Sequence, residues 1–340
     1  MIDERKQRIL RAVIEDYIST GEPVGSRTIA RKHGFNVSPA TIRNEMADLE
    51  ELGFLEQPHT SAGRVPSDLG YRYYVDHFVR AVPADHRLWQ FMRDRLALRA
   101  REIGAAVRAA ARMLSEASNF LALVSGPHLE SARIDALRIV PVGGQRALFV
   151  VVTDTGIVEN RLLELGQPLN PAEVERINRL FEERVCGQTM GRAALAVMKD
   201  LAMELRQYGD LVEQTLEVLD RPAADGEERL VVGGATNILR QPEFRDIDKA
   251  QMLLGSLEQE ETVLELLGEP QPRTRARVVI GHEIRVAEMQ DCSLVTASYR
   301  IGGDSWGQVG VLGPRRMDYA KIISLVEAVA RALSESLPRR

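Results

Sequence analysis

The sequence predicts a multi-domain α+β chain, on three observations. Short helical patterns and one small hairpin fill residues 1–80, β-branched runs broken by glycine turns fill 119–166 and return after 271, and helical periodicity fills the segment between them. A length of 340 residues exceeds one ordinary core and implies two or three domains. With 44% hydrophobic and 27% charged residues the composition is that of a soluble globular protein, and no apolar run approaches the roughly 18 residues needed to span a bilayer. The start "MIDERKQR" is charged where a secretory signal needs an apolar core, and Cys186 and Cys292 form no close-spaced pair. A cytoplasmic protein with no membrane partner is expected.

Taken in order, Arg5 to Ile18 sets Ile9, Leu10, Val13, Ile14 and Tyr17 at helical spacing before "STGEPVG" breaks the pattern. Ser26 can cap a second helix, "RTIARKHG", which Gly34 ends. After the turn "FNV", Ser38 is a good N-cap and Pro39 suits the first helical position, so a third helix runs to about Leu52. Two short helices around a tight turn read as helix-turn-helix. "FLEQP", "HTSAG" and "RVP" then read as strand, turn and return strand, a β-wing. The Ala- and Arg-rich pattern over 86–118 predicts a long connecting helix within 81–118. "NFLALVSG", "ALRIVPVG" and "ALFVVVTDTGIVENRLLEL" predict strands, the last able to fold back as a hairpin. Helices are expected at Ala172–Cys186, Ala193–Leu219 and about Phe244–Leu267. Strands return at "ARVVIGHEI", "CSLVTASYRI" and "GQVGVLG", before a last helix from Asp318 to about Ser336. This order suggests one α+β domain with a helical insertion.

A net charge of −5 argues against a nucleic-acid partner, because phosphate binding rests on Lys and Arg displacing counterions. The average hides a partition. Between Pro23 and Asn44 lie Arg27, Arg31, Lys32, His33 and Arg43 with no acid. From Arg80 to Arg112 eight Arg face only Asp85, Asp94 and Glu102. From Asp225 to Glu269 eleven acids face four bases. That division fits a basic reader joined to other modules, although an isolated charge run is more often a solvated face. On the third helix Ile42, Met46 and Leu49 share one side, while Ala40, Asn44 and Ala47 point the opposite way with Thr41 and Arg43 on the flanks. Small residues let such a helix enter a major groove, where Arg and Asn pair with guanine and adenine edges. The wing's small hydroxyls and Gly63 can approach phosphates, with Arg64 supplying charge. The candidate DNA-binding residues are therefore Arg27 and Thr28, then Ser38, Ala40, Thr41, Arg43 and Asn44, and in the wing Thr60, Ser61 and Arg64. The competing reading is a three-helix bundle with a hairpin and no DNA role.

Catalytic and cofactor signals are weak. "GDSWG" matches G-x-S-x-G at Ser305, but it joins two β-runs where a nucleophile elbow joins a strand to a helix, so a hairpin turn is expected. "VGGQR", Val142 to Arg146, reads as a turn between strands. The six His are scattered, none at metal-ligand spacing with another His or a Cys, and no G-x-x-x-x-G-K-[ST] occurs. No enzyme, cofactor or metal site is expected, and both cysteines read as small apolar residues.

The stretch "DYISTGEPVGSRTIARKHGFNVSPATIRNEMADLEELGFLEQPHTSAGRVPSDLGYRYYVD" closely resembles the N-terminal domain of the heat-inducible transcription repressor family HrcA. "CSLVTASYRIGGDSWGQVGVLGPRRMDYAKIISLVEAV" resembles that family's C-terminal region, including a Gly-Pro-x-Arg-Met-x-Tyr pattern at Gly313, Pro314, Arg316, Met317 and Tyr319. The two blocks cover about a third of the chain. The resemblance implies a homodimeric repressor of chaperone operons that binds an inverted-repeat operator in double-stranded DNA, called CIRCE, with activity maintained by the GroE chaperonin. It also implies a GAF-like domain over 119–166 and 271–340 carrying an inserted, mainly helical dimerising domain over 167–270, behind a winged helix-turn-helix over 1–80. The alternative is a ligand-responsive winged-helix regulator of other genes, because a GAF-like domain often holds a small molecule.

Overall fold

The computed structural model describes residues 2–60, 62–80, 86–97, 103–126, 132–154, 158–190, 192–193, 197, 209–220, 230–270, 275–301 and 306–337. Helices α1 (Glu4–Thr20), α2 (Ser26–Lys32) and α3 (Pro39–Glu51) precede a two-stranded antiparallel hairpin, β1 (Leu55–Glu56) and β2 (Val65–Pro66), and then α4 (Asp68–His77). The helix starts have chemical reasons. Asp3, Ser38 and Ser67 cap α1, α3 and α4 by accepting from the N–H groups of Lys6, Thr41 and Gly70, and Pro39 occupies the first turn of α3. At α2 the expectation fails. Its cap is Gly25 with no side-chain bond, and Ser26 is already helical. Ile9, Leu10, Val13 and Ile14 pack with Ile29 and with Ile42, Met46 and Leu49 in a buried core.

The large sheet is antiparallel, with strand order β7-β3-β10-β9-β8: β3 (Leu121–Ser125), β7 (Leu230–Gly233), β8 (Arg277–Ile280), β9 (Cys292–Arg300) and β10 (Trp306–Pro314). Strand alternation gives it two buried faces. Val295, Tyr299, Val309 and Val311 share a core with α6 (Ile103–Ser118) and α12 (Tyr319–Ser336), and this core is continuous with that of α1 to α4. Leu294 and Leu312 belong to a second core with α9 (Ala235–Ile238), α10 (Ile247–Glu258) and α11 (Glu260–Leu267).

Of the connecting helix expected over 81–118, the described residues form α5 (His86–Ala97) and α6. Both have apolar surface that packs into the core with α12 and the sheet. Ala106, Val107, Ala110 and Leu114 of α6 are buried, and Trp89 of α5 has the guanidinium groups of Arg93 and Arg331 each 4.8 Å from its ring centroid.

A separate antiparallel sheet comprises β4 (Ile134–Gly143), β5 (Arg146–Thr153) and β6 (Val158–Glu164), the last two forming the expected hairpin. Its inward residues Leu137, Ile139, Phe149, Val151 and Leu163 pack on Ile177 and Phe181 of α7 (Pro171–Arg184) and on Leu211 and Leu219 of α8 (Gly209–Asp220). Gln214 of α8 lies along β6, accepting from the Glu164 N–H at 3.0 Å and donating to its carbonyl at 2.6 Å. The cores thus divide the chain differently from the expected limits at 166 and 271. β4 to β6 pack with α7 and α8, and residues 230–267 pack on the large sheet. Period-2 patterning marks a strand but does not say which sheet it joins. Much of the helix expected over Ala193–Leu219 falls outside the described residues.

The turn expected at "VGGQR" is present between β4 and β5, with Gly143 at φ 107° and Gly144 at φ 62°, values that suit glycine. Ser305 lies outside the described residues, but β9 and β10 on either side pair antiparallel, as a hairpin requires. Gly307 has a packing role. A Cβ there would lie 2.6 Å from the Tyr299 ring, whose hydroxyl donates to the Ser125 carbonyl at 2.7 Å.

Burial pushes the Cys292 thiol up to about 12, and raises the half-buried Cys186. Native protein treated with a thiol-reactive dye at pH 8 should therefore label at Cys186 first and at Cys292 only on unfolding, as read by peptide mapping.

Candidate nucleic-acid interface

Ala40, Arg43 and Asn44 are exposed on α3, away from its buried Ile42, Met46 and Leu49. Arg27 at the start of α2 is exposed, whereas Thr28 and Thr41 are half-buried. Ser38 is exposed but engaged: its hydroxyl accepts from the Thr41 N–H at 3.1 Å and lies 3.0 Å from the Thr41 hydroxyl. The acids on α3 are drawn towards α1. Lys6 Nζ lies 2.8 Å from Glu45 and 3.1 Å from Asp48, and those bonds hold its ammonium well above the usual range. Lys32, part of the basic run, pairs with the buried Asp16 at 3.0 Å.

The hairpin beside α3 is held by Gln57 and Val24, which no sequence pattern singles out, together with Gly63 and Arg64. Gln57 Nε2 donates to the carbonyls of Thr60 and Ala62 at 3.0 and 3.1 Å and closes the turn, leaving Thr60 exposed; Ser61 lies outside the described residues. Val24 and Arg64 exchange two backbone hydrogen bonds of 2.9 Å, which tie the hairpin to the loop after α1. Gly63 permits this approach, since a Cβ there would stand 2.4 Å from the Val24 carbonyl oxygen.

Arg64 itself does not meet the expectation of a free phosphate contact. Its guanidinium pairs with Glu50 Oε2 on α3 at 2.7 Å and its side chain is only 17% exposed. The reason is geometric: the ladder with Val24 turns residue 64 towards α3, where Glu50 meets it. Arg64 fixes the hairpin against the helix instead of reaching outward. A Glu fourteen residues ahead of an Arg gave no helical or strand spacing by which to expect the pair.

α4 joins this unit to the large sheet. Asp68 Oδ1 accepts from Arg315 at 2.8 Å, and its Oδ2 accepts from the His282 backbone N–H at 2.9 Å and lies 2.6 Å from His282 Nδ1. Arg72 donates to Glu283 at 2.8 Å and to the Val278 carbonyl at 2.8 Å. Arg316, from the Gly-Pro-x-Arg-Met-x-Tyr pattern, pairs with Glu243. Tyr319 of the same pattern is buried, donates to the Arg315 carbonyl at 2.6 Å and packs near Tyr71 with ring centroids 6.0 Å apart.

A profile described as "HrcA protein C terminal domain" matches residues 104–323. The heat-inducible transcription repressor HrcA of Symbiobacterium thermophilum is 47% identical over 336 residues, covering 98% of each chain. The protein of the same name from Pelotomaculum thermopropionicum is 41% identical, covering 99% of this chain and 97% of its own. A crystal structure of a hypothetical protein, 22% identical, aligns over 99% of this chain and 98% of its own with a TM-score of 0.60, a likeness of fold. These matches define a transcription repressor, not a member of an enzyme family. The chain belongs to the HrcA family of heat-inducible transcription repressors.

The Glu50–Arg64 pair should show a coupling of about 0.5–1 kcal/mol in a double-mutant cycle of Glu50→Gln and Arg64→Gln, measured by urea unfolding, and additive losses would exclude it. At Asp68 burial favours the neutral form, but Arg315 and His282 outweigh it and lower the pKa. A lowered carboxylate stabilises the fold above its unfolded value, about 3.9, and loses that contribution as pH falls through the folded value. The stability gap between wild type and Asp68→Asn should therefore be full at neutral pH and close below about pH 4.

Proposed function

We propose that residues 1–80 form a winged helix-turn-helix and that α3 reads operator bases in the major groove. The observation that carries this reading is the exposed Ala40, Arg43 and Asn44 face of α3 beside an exposed Thr60 turn, on a chain of the HrcA family. Arg43 and Asn44 supply bidentate donors and acceptors for base edges, and Ala40 leaves room for the groove. Arg27, Thr28, Ser38, Thr41 and Thr60 serve as phosphate contacts that set register without naming a base. The targets are chaperone operons carrying an inverted repeat of the CIRCE kind, bound in the cytoplasm, with the repressor kept active by the GroE chaperonin.

An inverted repeat requires a two-fold protein. The outward face of β4 to β6 supports a homodimer: Val140, Leu148, Val150, Val152, Val158 and Leu162 share it by register, and Val140, Val158 and Leu162 are 47%, 52% and 49% exposed. The face holds two apolar patches, Val140 with Leu148 and Leu162 and Val152 with Val158, on either side of the row Arg138–Val150–Asn160, and a second copy of the chain supplies cover for them. On this reading about 127–229 is the inserted dimerising domain, and 103–126 with 230–337 make the GAF-like domain.

Footprinting on the promoters of its own chaperone genes tests the repressor reading: protection of one inverted repeat is expected, and protection of none, or of unrelated sequence, would end it. Arg43→Ala or Asn44→Ala should cost about 1–3 kcal/mol on the operator and little on random DNA. Val150→Asp should give monomers at micromolar concentration by sedimentation, and a persisting dimer would move the interface elsewhere.

A further inference from the structure

The large sheet carries a cleft of about 310 Å³ beside β8, with Arg275, Arg277, Thr296, Ser298, Gln308 and Glu269 in its wall. Its volume falls at the lower end of the range for small-molecule pockets, about 300–1,000 Å³. Arg277 stands opposite Thr296 in the β8–β9 register, and Arg275, just ahead of β8, lines the same cleft. No ion pair to either is found among the described residues.

One buried polar group in the wall is unsatisfied. Gln308 is 4% exposed, and its Nε2 donates to the Gly268 carbonyl at 2.8 Å, which fixes the amide orientation. Among the described residues its buried Oε1 has no hydrogen-bond partner. A buried acceptor left in this state is costly, and because the oxygen is itself covered, a ligand donor relieves it only by displacing that cover. The wall therefore asks for an anion at the arginine pair and for an O–H or N–H donor near Gln308. Glu269 adds a further acceptor and disfavours a ligand that is anionic along its whole length.

We propose that this cleft binds a small anionic metabolite, a phosphate monoester or a carboxylate that also carries hydroxyl groups. Its position gives such a ligand a route to the DNA-reading unit, and this part rests on the repressor reading. The carbonyl of Val278, the residue after Arg277, accepts from Arg72 of α4, and His282 and Glu283 just beyond β8 hold Asp68 and Arg72.

The test is calorimetric titration of the full-length protein, without DNA, with ribose 5-phosphate, with citrate, and with ribose as the uncharged control. Saturable binding of one or both anions and none of ribose is expected. A response to ribose 5-phosphate alone assigns phosphate, and to citrate alone assigns carboxylate. Arg277→Gln, at an exposed position, should weaken binding roughly tenfold or more. Gln308→Met, which removes the unsatisfied acceptor, should keep the fold and weaken binding also. Absence of binding at millimolar anion, equal binding of ribose, or unchanged affinity in both variants overturns the proposal. Because no DNA is present, failure here leaves the repressor reading to be judged by footprinting alone.

Discussion

The guanidinium of Arg315 holds the Asp68 carboxylate at 2.8 Å, and the placement of α1 to α4 on the large sheet depends on that contact and its neighbours. Asp68 is the first residue of α4, the element that leaves the hairpin, so whatever fixes Asp68 fixes the start of that helix. His282 and Arg315 approach the carboxylate together, and Arg72 one turn later grips Glu283 and the Val278 carbonyl. Partial burial makes the arrangement demanding. Removing one partner would leave a charge already withdrawn from water, which costs more than an exposed ion pair contributes. The charges do not act alone, because Tyr71 and Tyr319 meet beneath them and the core of α1 to α4 runs on into the core of the sheet.

Within the N-terminal unit a second constraint serves the same end. The angle between α3 and the hairpin is set by Val24, Gly63, Arg64 and Glu50. Lys6 fastens α3 to α1 through Glu45 and Asp48. Most charges of this unit therefore act within the fold, and the face of α3 opposite its buried stripe carries Ala40 with Arg43 and Asn44.

The local structure was largely legible in the sequence. Ser38 and Pro39 announced α3, Asp318 the last helix, and the apolar run in "CSLVTASYR" a strand. What was not legible depends on contacts distant in sequence. The strand "LVVG" at Leu230–Gly233 is too short to show a period, and neither it nor β4 states which sheet it enters. Arg64 offered a charge in a turn rich in small residues, and only the Val24 ladder reveals that it faces Glu50. The exposure of Ala40, Arg43 and Asn44 was legible from the helical spacing of α3, while Gln57, Val24 and Glu50, which hold the hairpin, carry no pattern of their own.

If the Asp68 and Arg72 contacts fix the orientation of the N-terminal unit, the distance between α3 and α11 must be single-valued. Spin labels at Glu51→Cys and Glu265→Cys, both exposed positions, in a Cys186→Ser background, measure it directly. One narrow distance distribution is expected without DNA, broadening when Asp68→Asn and Arg72→Gln are added. A broad distribution in the otherwise unaltered protein, or a narrow one that survives both substitutions, would contradict the account.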